Sequence, residues 1–507
     1  MGPNGGRQLH WYQGLSKYHW WVLAIGVLSW TFDCMDQRIF VLSRSPAMQE
    51  LADTPEFQAS VRQKLKTQVA ENVKQAVKAG TVAAGETETE ITKRVEEQRQ
   101  DAYKKALARK AAAYGNIVTA LMVVGWSIGG FFFGVYGDRL GRVKTLSLAI
   151  AVYSVFTGLS GLSVGLLDFC TYRLLMGCGI GGAFATAATL IAETMPTHAR
   201  AAALGVFQAL SAVGNIAGSF IARFVISPDL NTNLFGLLGA HAVSGWRILF
   251  MIGVIPAILV VLIMRSVKEP DAWLAARETA AGNLGRQLGD IRGLFATPRW
   301  RRNTIVGVSL AVVGVIGLWG IGFFSPELIE AALKEKHLTA EQLSNAKAMG
   351  TLLQDVGALL GMLAFTYIAT RVGRRIAFGG AFLFCWIVVS GVFMFLSQSW
   401  QVYVFLPILG FATLSIFGGY SIYFPELYPA RLRSTGTGFC YNVGRVLAAG
   451  VIVMKIPLGE MFKTSGTTNL QLLRIVSVVL ASVYLLGLVI LFWAPETKGK
   501  PLPTDDD

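Results

Sequence analysis

Two carboxylates and an arginine lie inside the first long apolar run of this 507-residue chain. The run extends from residue 19 to 43, and a helix needs about 20 residues, each rising about 1.5 Å, to cross a bilayer. Asp33, Asp36 and Gln37 recur at helical spacing, so they share one helix face. Arg38 points elsewhere and lies near the helix end, where it can extend to the membrane surface. Because charge is costly inside a membrane, such residues face a bundle interior or a wet cavity and indicate a functional site.

The rest of the chain repeats this membrane pattern. It is 53% hydrophobic and 15% charged, with a mean hydropathy of +0.50, whereas soluble domains carry about 25% charged residues. This composition argues against the alternative that the first run is a core helix of a large soluble protein. We therefore predict an all-α, polytopic membrane protein with twelve transmembrane helices in the lipid bilayer. The predicted spans are 19–43, 115–136, 144–164, 168–191, 202–226, 245–265, 303–325, 346–368, 376–397, 401–424, 434–457 and 471–493.

The basic residues predict the orientation. The loops on one side of the predicted spans are rich in Lys and Arg, whereas the loops 163–168, 227–244 and 397–401 on the other side hold none. By the positive-inside rule both termini are cytoplasmic, in a plasma (inner) membrane. The same distribution explains the net charge of +14 without nucleic-acid binding.

The spans divide the chain into six parts. Residues 44–113 hold apolar positions at helical spacing and nearly balanced charge, so we predict an extracytoplasmic helical hairpin inserted after the first span. The parts are 1–43, the N-terminus and first span; 44–113, the hairpin; 114–266, the rest of an N-terminal six-helix half; 267–302, a cytoplasmic linker; 303–494, a C-terminal six-helix half; and 495–507, a cytoplasmic tail.

The two halves repeat each other in sequence. Glu193-x-x-Pro196-x-x-x-Arg200 recurs as Glu426-x-x-Pro429-x-x-x-Arg433, at an offset of 433 − 200 = 233 residues. An Arg-x-Gly-Arg loop recurs at 371 − 139 = 232 residues. Two six-helix halves in the same orientation form a parallel repeat.

The first copy of that loop is Gly134-Val135-Tyr136-Gly137-Asp138-Arg139-Leu140-Gly141-Arg142. Its aspartate and arginines can form a charged latch that breaks when a cytoplasmic gate opens, or the arginines only set orientation. Thr370 replaces the aspartate in the second copy, so we expect a weaker latch there. The predicted gate residues are Gly134, Asp138, Arg139, Gly141, Arg142, Glu193, Arg200, Arg371, Arg374, Glu426 and Arg433.

This loop resembles the signature of the major facilitator superfamily, Gly-x-x-x-Asp-Arg-x-Gly-Arg, at every defining position. Further pieces resemble its sialate and monocarboxylate proton symporters, with overlap to the sugar porters. They are Trp30-Thr31-x-Asp33-x-x-Asp36, Arg173-x-x-x-Gly177-x-Gly179-x-Gly181-Gly182, Gly245-Trp246-Arg247, Glu269-Pro270 and Pro495-Glu496-Thr497-Lys498-Gly499. The resemblance implies secondary active transport by alternating access. The cargo it implies is a small organic anion, monocarboxylate or sialate-like, or a sugar, carried with protons.

Helix depth predicts one charged pair in the N-terminal half. Asp36 lies seven residues before Ser43, and Arg173 lies five residues after Asp168 on a helix running the other way. Both are then about 8–10 Å below the outer boundary and can meet. We predict proton coupling by Asp36, Asp33 and Arg173; the alternative is a static structural ion pair.

The C-terminal half offers a second pair near the midplane, where substrate sites of such transporters lie. Arg445 can hold a substrate carboxylate with two hydrogen bonds, or it can form a salt bridge to Asp355. The predicted substrate-binding residues are Arg445, Gln208, Asn215, Tyr441, Asn442 and Asp355, and Trp126 and Trp319 either line the cavity or pack.

No motif indicates an enzyme. The sequence lacks a Walker-type phosphate loop, a nucleophile elbow and a metal-ligand cluster, so we expect no cofactor, no metal and no ATP-driven pumping. The expected partners are a small-molecule solute and protons, and the chain is expected to be a monomer. The alternative function is a non-transporting membrane solute sensor on the same fold. The hairpin 44–113 is expected to be dispensable for transport.

Overall fold

The structure is a computed structural model. It describes residues 10–64, 88–225, 244–281, 287–319, 325–333, 336, 338–453, 461–462 and 468–505. The described part of the chain is helical and contains no strand. Twelve long helices within these described ranges form the bundle. They are α1 (Lys17–Ala52), α2 (Glu88–Arg139), α3 (Arg142–Gly161), α4 (Leu166–Thr194), α5 (Thr197–Val225), α6 (Gly245–Ser266), α7 (Pro298–Trp319), α8 (Ala340–Val372), α9 (Arg374–Phe395), α10 (Ser399–Glu426), α11 (Arg433–Val453) and α12 (Leu470–Ile490).

Ten described helices, α2 to α10 and α12, are long and apolar enough to cross a membrane. The other two long helices are α1, which carries Asp33, Asp36 and Arg38 along its inner part, and α11, which carries Arg433 and Arg445. The observed helices confirm the predicted all-α, multi-pass membrane fold.

The α2–α3 and α8–α9 loops are tight turns of the same geometry. Gly141 and Gly373 adopt φ values of +105° and +106°, where a residue with a side chain would be strained. A Cβ atom at Gly141 would also lie 2.2 Å from Glu269 Oε1, and one at Gly373 would lie 2.7 Å from Glu496 Oε2. Glycine is therefore required at each turn for two reasons, the positive φ and the close glutamate carboxylate.

Glu269 and Glu496 cap the helices that follow these turns. Glu269 accepts hydrogen bonds from the backbone N–H groups of Arg142 (2.7 Å) and Val143 (3.1 Å) at the start of α3. Glu496 accepts equivalent bonds from Arg374 (2.9 Å) and Arg375 (3.0 Å) at the start of α9. A carboxylate at a helix N-terminus satisfies free N–H groups and complements the helix dipole.

The two halves touch along glycine-lined contacts. A Cβ at Gly438 in α11 would lie 2.5 Å from the carbonyl oxygen of Gly130 in α2. A Cβ at Gly205 in α5 would lie 2.0 Å from the Thr366 hydroxyl in α8. These contacts join α2 to α11 and α5 to α8, which are equivalent pairs of helices in the sequence repeat.

Helix α1 ends nine residues later than predicted, at Ala52 rather than residue 43 (52 − 43 = 9). The extension is anchored by Glu50, which accepts hydrogen bonds from Ser244 Oγ, Trp246 Nε1 (2.6 Å) and Arg247 Nη2 (2.9 Å) at the start of α6. The described part of the predicted hairpin that precedes the second span is a helix continuous with that span, because α2 begins at Glu88. The middle of the predicted hairpin, residues 65–87, lies outside the described residues.

We expect a variant in which residues 65–87 are replaced by a short Gly/Ser linker to insert and to keep its melting temperature. The anchoring contacts described for the predicted hairpin lie outside residues 65–87. One example is the hydrogen bond from Lys110 Nζ to the carbonyl oxygen of Ala52 (3.0 Å). Glu50→Ala is expected to lower the melting temperature by a few degrees. A linker variant that fails to insert, or an unchanged Glu50→Ala variant, would contradict this assignment.

The contribution of Glu50 should depend on pH. Partial burial raises the pKa of its carboxyl group, but the hydrogen bonds from Ser244, Trp246 and Arg247 outweigh burial and leave this pKa below its ordinary value of about 4.5. A lowered pKa in the folded state stabilises the fold above the unfolded-state pKa. The difference in melting temperature between the parent and Glu50→Ala should therefore vanish as the pH falls through the lowered pKa.

Candidate functional site

Asp36 and Arg173 meet in the interior of the N-terminal half. Both side chains are fully buried, and the distance between Asp36 Oδ2 and Arg173 Nη1 is 4.0 Å. No hydrogen bond from the described residues reaches either oxygen of Asp36 or any guanidinium nitrogen of Arg173. Their common depth, predicted from the sequence, thus brings them together, but without a hydrogen bond.

The surroundings of Arg173 are aromatic. Its guanidinium carbon lies 4.1 Å from the ring centroid of Phe250, 5.2 Å from that of Phe40 and 5.4 Å from that of Phe169. Ring faces attract a cation weakly, so they hold Arg173 without committing its N–H donors. An arginine held in this way can reach a nearby carboxylate after a small movement.

Arg445 lies at the second buried centre, in α11. It is 6% exposed, and its Nη1 donates to Asn442 Oδ1 at 3.1 Å. Asn442 Nδ2 donates to the carbonyl oxygen of Gly438 (2.8 Å), which turns Oδ1 toward the arginine. Arg445 Nε is buried and has no hydrogen-bond partner among the described residues. No described carboxylate lies within 4.0 Å of the guanidinium.

Two aromatic rings cover this guanidinium. Its central carbon lies 3.8 Å from the ring centroid of Trp126 in α2 and 4.0 Å from that of Tyr441 in α11. Tyr441 stacks on Phe184 of α4, with centroids 4.5 Å apart and ring planes at 24°. The centre is therefore built from both halves of the bundle.

Asp33 lies between the two centres on α1. It is fully buried, and its Oδ2 accepts a hydrogen bond from Gln37 Nε2 at 3.2 Å. Asp33 interacts electrostatically with both Asp36 and Arg445. The three predicted proton-coupling residues thus form one buried group that reaches toward Arg445.

Asp355 corrects two predictions. It pairs with Arg38 of α1, so it does not neutralise Arg445, and Arg38 does not extend to the membrane surface. The side chains of Arg38 and Asp355 are 16% and 10% exposed, and the pair joins the two halves. Asp355 therefore forms no salt bridge with Arg445 among the described residues, and its role in substrate binding stays a prediction. Counting residues along each helix predicted the depth of each charge but not the direction in which its side chain points around the helix.

The other residues predicted to line the substrate cavity lie in different environments. Gln208 is 3% exposed and its Oε1 has no hydrogen-bond partner among the described residues, whereas Asn215 is half-buried about two turns further along α5. Trp126 both packs and covers Arg445. The side chain of Trp319 lies outside the described part of the structure.

The predicted latch forms across the two halves at Asp138. Its carboxylate accepts hydrogen bonds from the backbone N–H groups of Ser434 (3.1 Å) and Thr435 (2.8 Å) and from Thr435 Oγ1 (2.6 Å). Arg142 Nη1 lies 3.1 Å from the same carboxylate. Asp138 thus holds the N-terminus of α11, a favourable position for an anion. The sequence predicted the arginine contact but not the helix N-terminus.

Arg142, Glu193 and Arg433 extend this latch. Arg142 donates two hydrogen bonds to Glu193, both at 2.8 Å, and Arg433 Nη1 donates to the same carboxylate at 2.6 Å. Arg142 also donates to the carbonyl oxygen of Ala430 at 2.6 Å. We call the side of the bundle that carries this network the latch face.

The second copy of the network is confined to the C-terminal half. Arg374 donates to both oxygens of Glu426, at 2.8 and 3.1 Å. Thr370 donates to the carbonyl oxygen of Tyr367 (2.9 Å), within its own helix. Thr370 therefore makes no described bond to the N-terminal half, and the weaker second latch stays a prediction.

Three predicted gate residues lie beside the network rather than in it. Arg139 is exposed and donates to the carbonyl oxygen of Leu288 (3.2 Å), and Arg371 lies over the Tyr367 ring at 4.3 Å. Arg200 donates to the carbonyl oxygen of Ala192 at 2.9 Å. Sequence reasoning gave no role to Glu269 and Glu496, although each stands beside a proline where a half of the bundle ends.

Comparison with known proteins agrees with this architecture. Residues 75–293 match the family model described as "Sugar (and other) transporter". The chain is 29% identical to the cis,cis-muconate transport protein of Acinetobacter baylyi over 352 residues, which cover 68% of this chain and 78% of that protein. It is 27% identical to the sialic acid transporter NanX of Escherichia coli over 349 residues, which cover 67% and 77%.

Solved structures share the fold. The proton:xylose symporter XylE, in complex with 6-bromo-6-deoxy-D-glucose, superposes with a TM-score of 0.65 at 16% identity, over 96% of this chain and 98% of that one. The human organic anion transporter MFSD10 (TETRAN) superposes with a TM-score of 0.61 at 12% identity, over 93% and 99%.

A bundle that keeps its charged groups inside, and that shares its fold and sequence with transport proteins, is a multi-pass membrane transporter. The matched family model, the relatives and the solved structures support a transporter of the major facilitator superfamily, as the α2–α3 loop motif implied.

Proposed function

We propose that this transporter carries a small organic anion together with protons. The observation that carries the proposal is Arg445, a buried guanidinium near the middle of the bundle with a free Nε and no carboxylate within salt-bridge distance among the described residues. A buried charge without a salt-bridge partner is costly, and an anionic cargo would supply the missing opposite charge with charge-assisted hydrogen bonds.

The relatives support an anion over a neutral sugar. Their names include transporters of cis,cis-muconate, sialic acid and niacin, all of which are carboxylates at neutral pH. The likeness to XylE concerns the fold alone, at 16% identity.

Proton coupling rests on the contrast between two buried ion pairs. Arg142 and Glu193 form two hydrogen bonds at 2.8 Å, as expected of a static structural pair. Asp36 and Arg173 are 4.0 Å apart and share no hydrogen bond. A loosely held carboxylate changes protonation state at less structural cost, because fewer interactions are lost when it is neutralised. This contrast favours a switch over a static pair.

Alternating access needs contacts that break on one side at a time. The Asp138 latch joins the halves at the latch face, and the Arg38–Asp355 pair joins them away from that face, partway along α1 and α8. We propose that these two contacts are the two gates, with the latch face and both termini in the cytoplasm of a plasma (inner) membrane and the chain acting as a monomer.

The test is uptake by the purified chain in proteoliposomes with an imposed pH gradient. We expect at least one of cis,cis-muconate, sialic acid and niacin to accumulate when the outside is more acidic, and a protonophore to abolish that accumulation. Accumulation of xylose with none of the three anions would overturn the proposal, and so would anion uptake that ignores the pH gradient.

The latch gives a separate prediction. Asp138→Asn replaces a carboxylate that accepts three hydrogen bonds at the start of α11, so it should weaken closure at the latch face. We expect uptake several-fold slower than in the parent, with unchanged solute affinity, measured by uptake rate and by binding in detergent. Arg139→Gln is the matched control, because Arg139 belongs to the same motif but lies outside the network. If Asp138→Asn transports like this control, the loop serves orientation only.

A further inference from the structure

The aromatic rings around Arg445 restrict the shape of its ligand. Trp126 and Tyr441 both present a ring face to the guanidinium, 3.8 and 4.0 Å from its central carbon. Such distances are van der Waals contacts. A carboxylate can therefore reach this arginine only along the edge of the guanidinium, between the rings.

The one guanidinium donor without a partner, Nε, indicates which edge of Arg445 a carboxylate would bind. Nη1 is occupied by Asn442 Oδ1 at 3.1 Å, whereas Nε has no hydrogen-bond partner among the described residues. Nε and Nη2 form one side of the guanidinium, and a carboxylate that takes two parallel hydrogen bonds there lies in the guanidinium plane. The atoms attached to that carboxylate begin in the same plane.

The rings are fixed in place by further aromatic contacts. Tyr441 stacks on Phe184, which in turn lies against Trp30 of α1, with centroids 4.9 Å apart. Trp30 and Phe184 are buried, at 3% and 1% exposure. Because these rings are packed against one another, moving them aside for a ligand thicker than a planar group would cost packing contacts elsewhere.

We infer that the cargo is a planar carboxylate whose π system is conjugated with the carboxyl group. In such a molecule the body stays coplanar with the carboxylate and can stack on the rings, which attract aromatic and conjugated groups. A carboxylate on a saturated ring places hydrogens above and below that plane. This inference rests on the proposed organic-anion function and narrows its substrate class; Trp126 and Tyr441 would be the residues that determine specificity.

The test compares benzoate with cyclohexanecarboxylate, which has the same carbon count and charge but a puckered ring. Binding of each to the full-length chain in detergent is measured by calorimetry, with xylose as the neutral probe. We expect benzoate to bind about tenfold more tightly than cyclohexanecarboxylate, the range expected for aromatic pairing.

Substitutions of Trp126 and Tyr441 distinguish the effect of an aromatic ring face from a general disturbance of Arg445. Trp126→Leu should bring the benzoate-to-cyclohexanecarboxylate ratio close to one, whereas Trp126→Phe, which keeps a ring face, should preserve the preference. Tyr441→Leu and Tyr441→Phe provide a second matched pair in case Trp126→Leu does not fold. The ratio is the readout, because a general disturbance of Arg445 would weaken both acids equally.

Equal affinity for the two acids in the parent protein would overturn the inference while leaving the organic-anion proposal intact. A preference that survives both leucine variants would also overturn it. Binding of xylose but of neither acid would overturn the proposed function and this inference together.

Discussion

Asp36→Asn is expected to abolish accumulation of solute against a gradient while leaving exchange across the membrane intact. Asparagine mimics the protonated, neutral state of the side chain that faces Arg173 at 4.0 Å. A carrier fixed in this state can still bind cargo and change its orientation, but it cannot couple either step to a proton. The measurement is a pair of assays in proteoliposomes, uphill uptake under an imposed pH gradient and counterflow of labelled solute.

Asp33→Asn is the matched control on the same helix face. Asp33 is equally buried, but its Oδ2 accepts a hydrogen bond from Gln37, so we expect a smaller loss of uphill uptake. If Asp36→Asn still concentrates solute in response to the gradient, Asp36 is not the proton carrier, and Asp33 or Asp355 becomes the better candidate. Loss of both exchange and uptake would instead assign Asp36 to folding or cargo binding.

Arg445→Gln is expected to weaken solute binding about a hundredfold, because removing one partner of a buried charge-assisted contact costs about 3 kcal/mol. Glutamine keeps a polar side chain of intermediate length but loses the charge and the planar donor edge. Affinity is measured by calorimetry in detergent, with the solute identified by uptake.

Two further variants show whether geometry or charge matters at this position. Arg445→Lys retains the charge without the paired donors, so it should recover only a small part of the affinity. Arg38→Gln removes a half-buried arginine that pairs with Asp355 across the two halves, so it should alter gating more than affinity. Undiminished affinity in Arg445→Gln would remove this residue from the cargo site.

The amino-acid sequence predicts positions along helices better than directions around them. Asp36 and Arg173 could be placed together because each was counted from a helix end and the rise per residue is constant. The same counting put Asp355 and Arg445 at a common depth, yet Asp355 pairs with Arg38, across the interface between the halves. Which neighbour a side chain faces depends on the rotation and packing of whole helices, which local sequence does not determine.

The latch shows a similar limit. Its residues were visible as a repeated motif, and the missing aspartate at Thr370 predicted the asymmetry between the two copies. The main partner of Asp138, however, is the backbone at the start of α11, some 300 residues away in sequence. Backbone donors leave no signature in side-chain identity, so only the three-dimensional structure reveals this contact.

The length of α2 has a practical consequence. Its 52 residues extend for about 78 Å, whereas the hydrocarbon core of a bilayer is about 30 Å thick. Much of this helix must lie outside a detergent micelle. Most transporters of this kind have little structure there with which single-particle images can be aligned. A rigid binder raised against residues 96–109, which carry exposed charged side chains, would give single-particle images an asymmetric landmark. The same epitope would report, on intact cells, which side of the membrane the helix occupies.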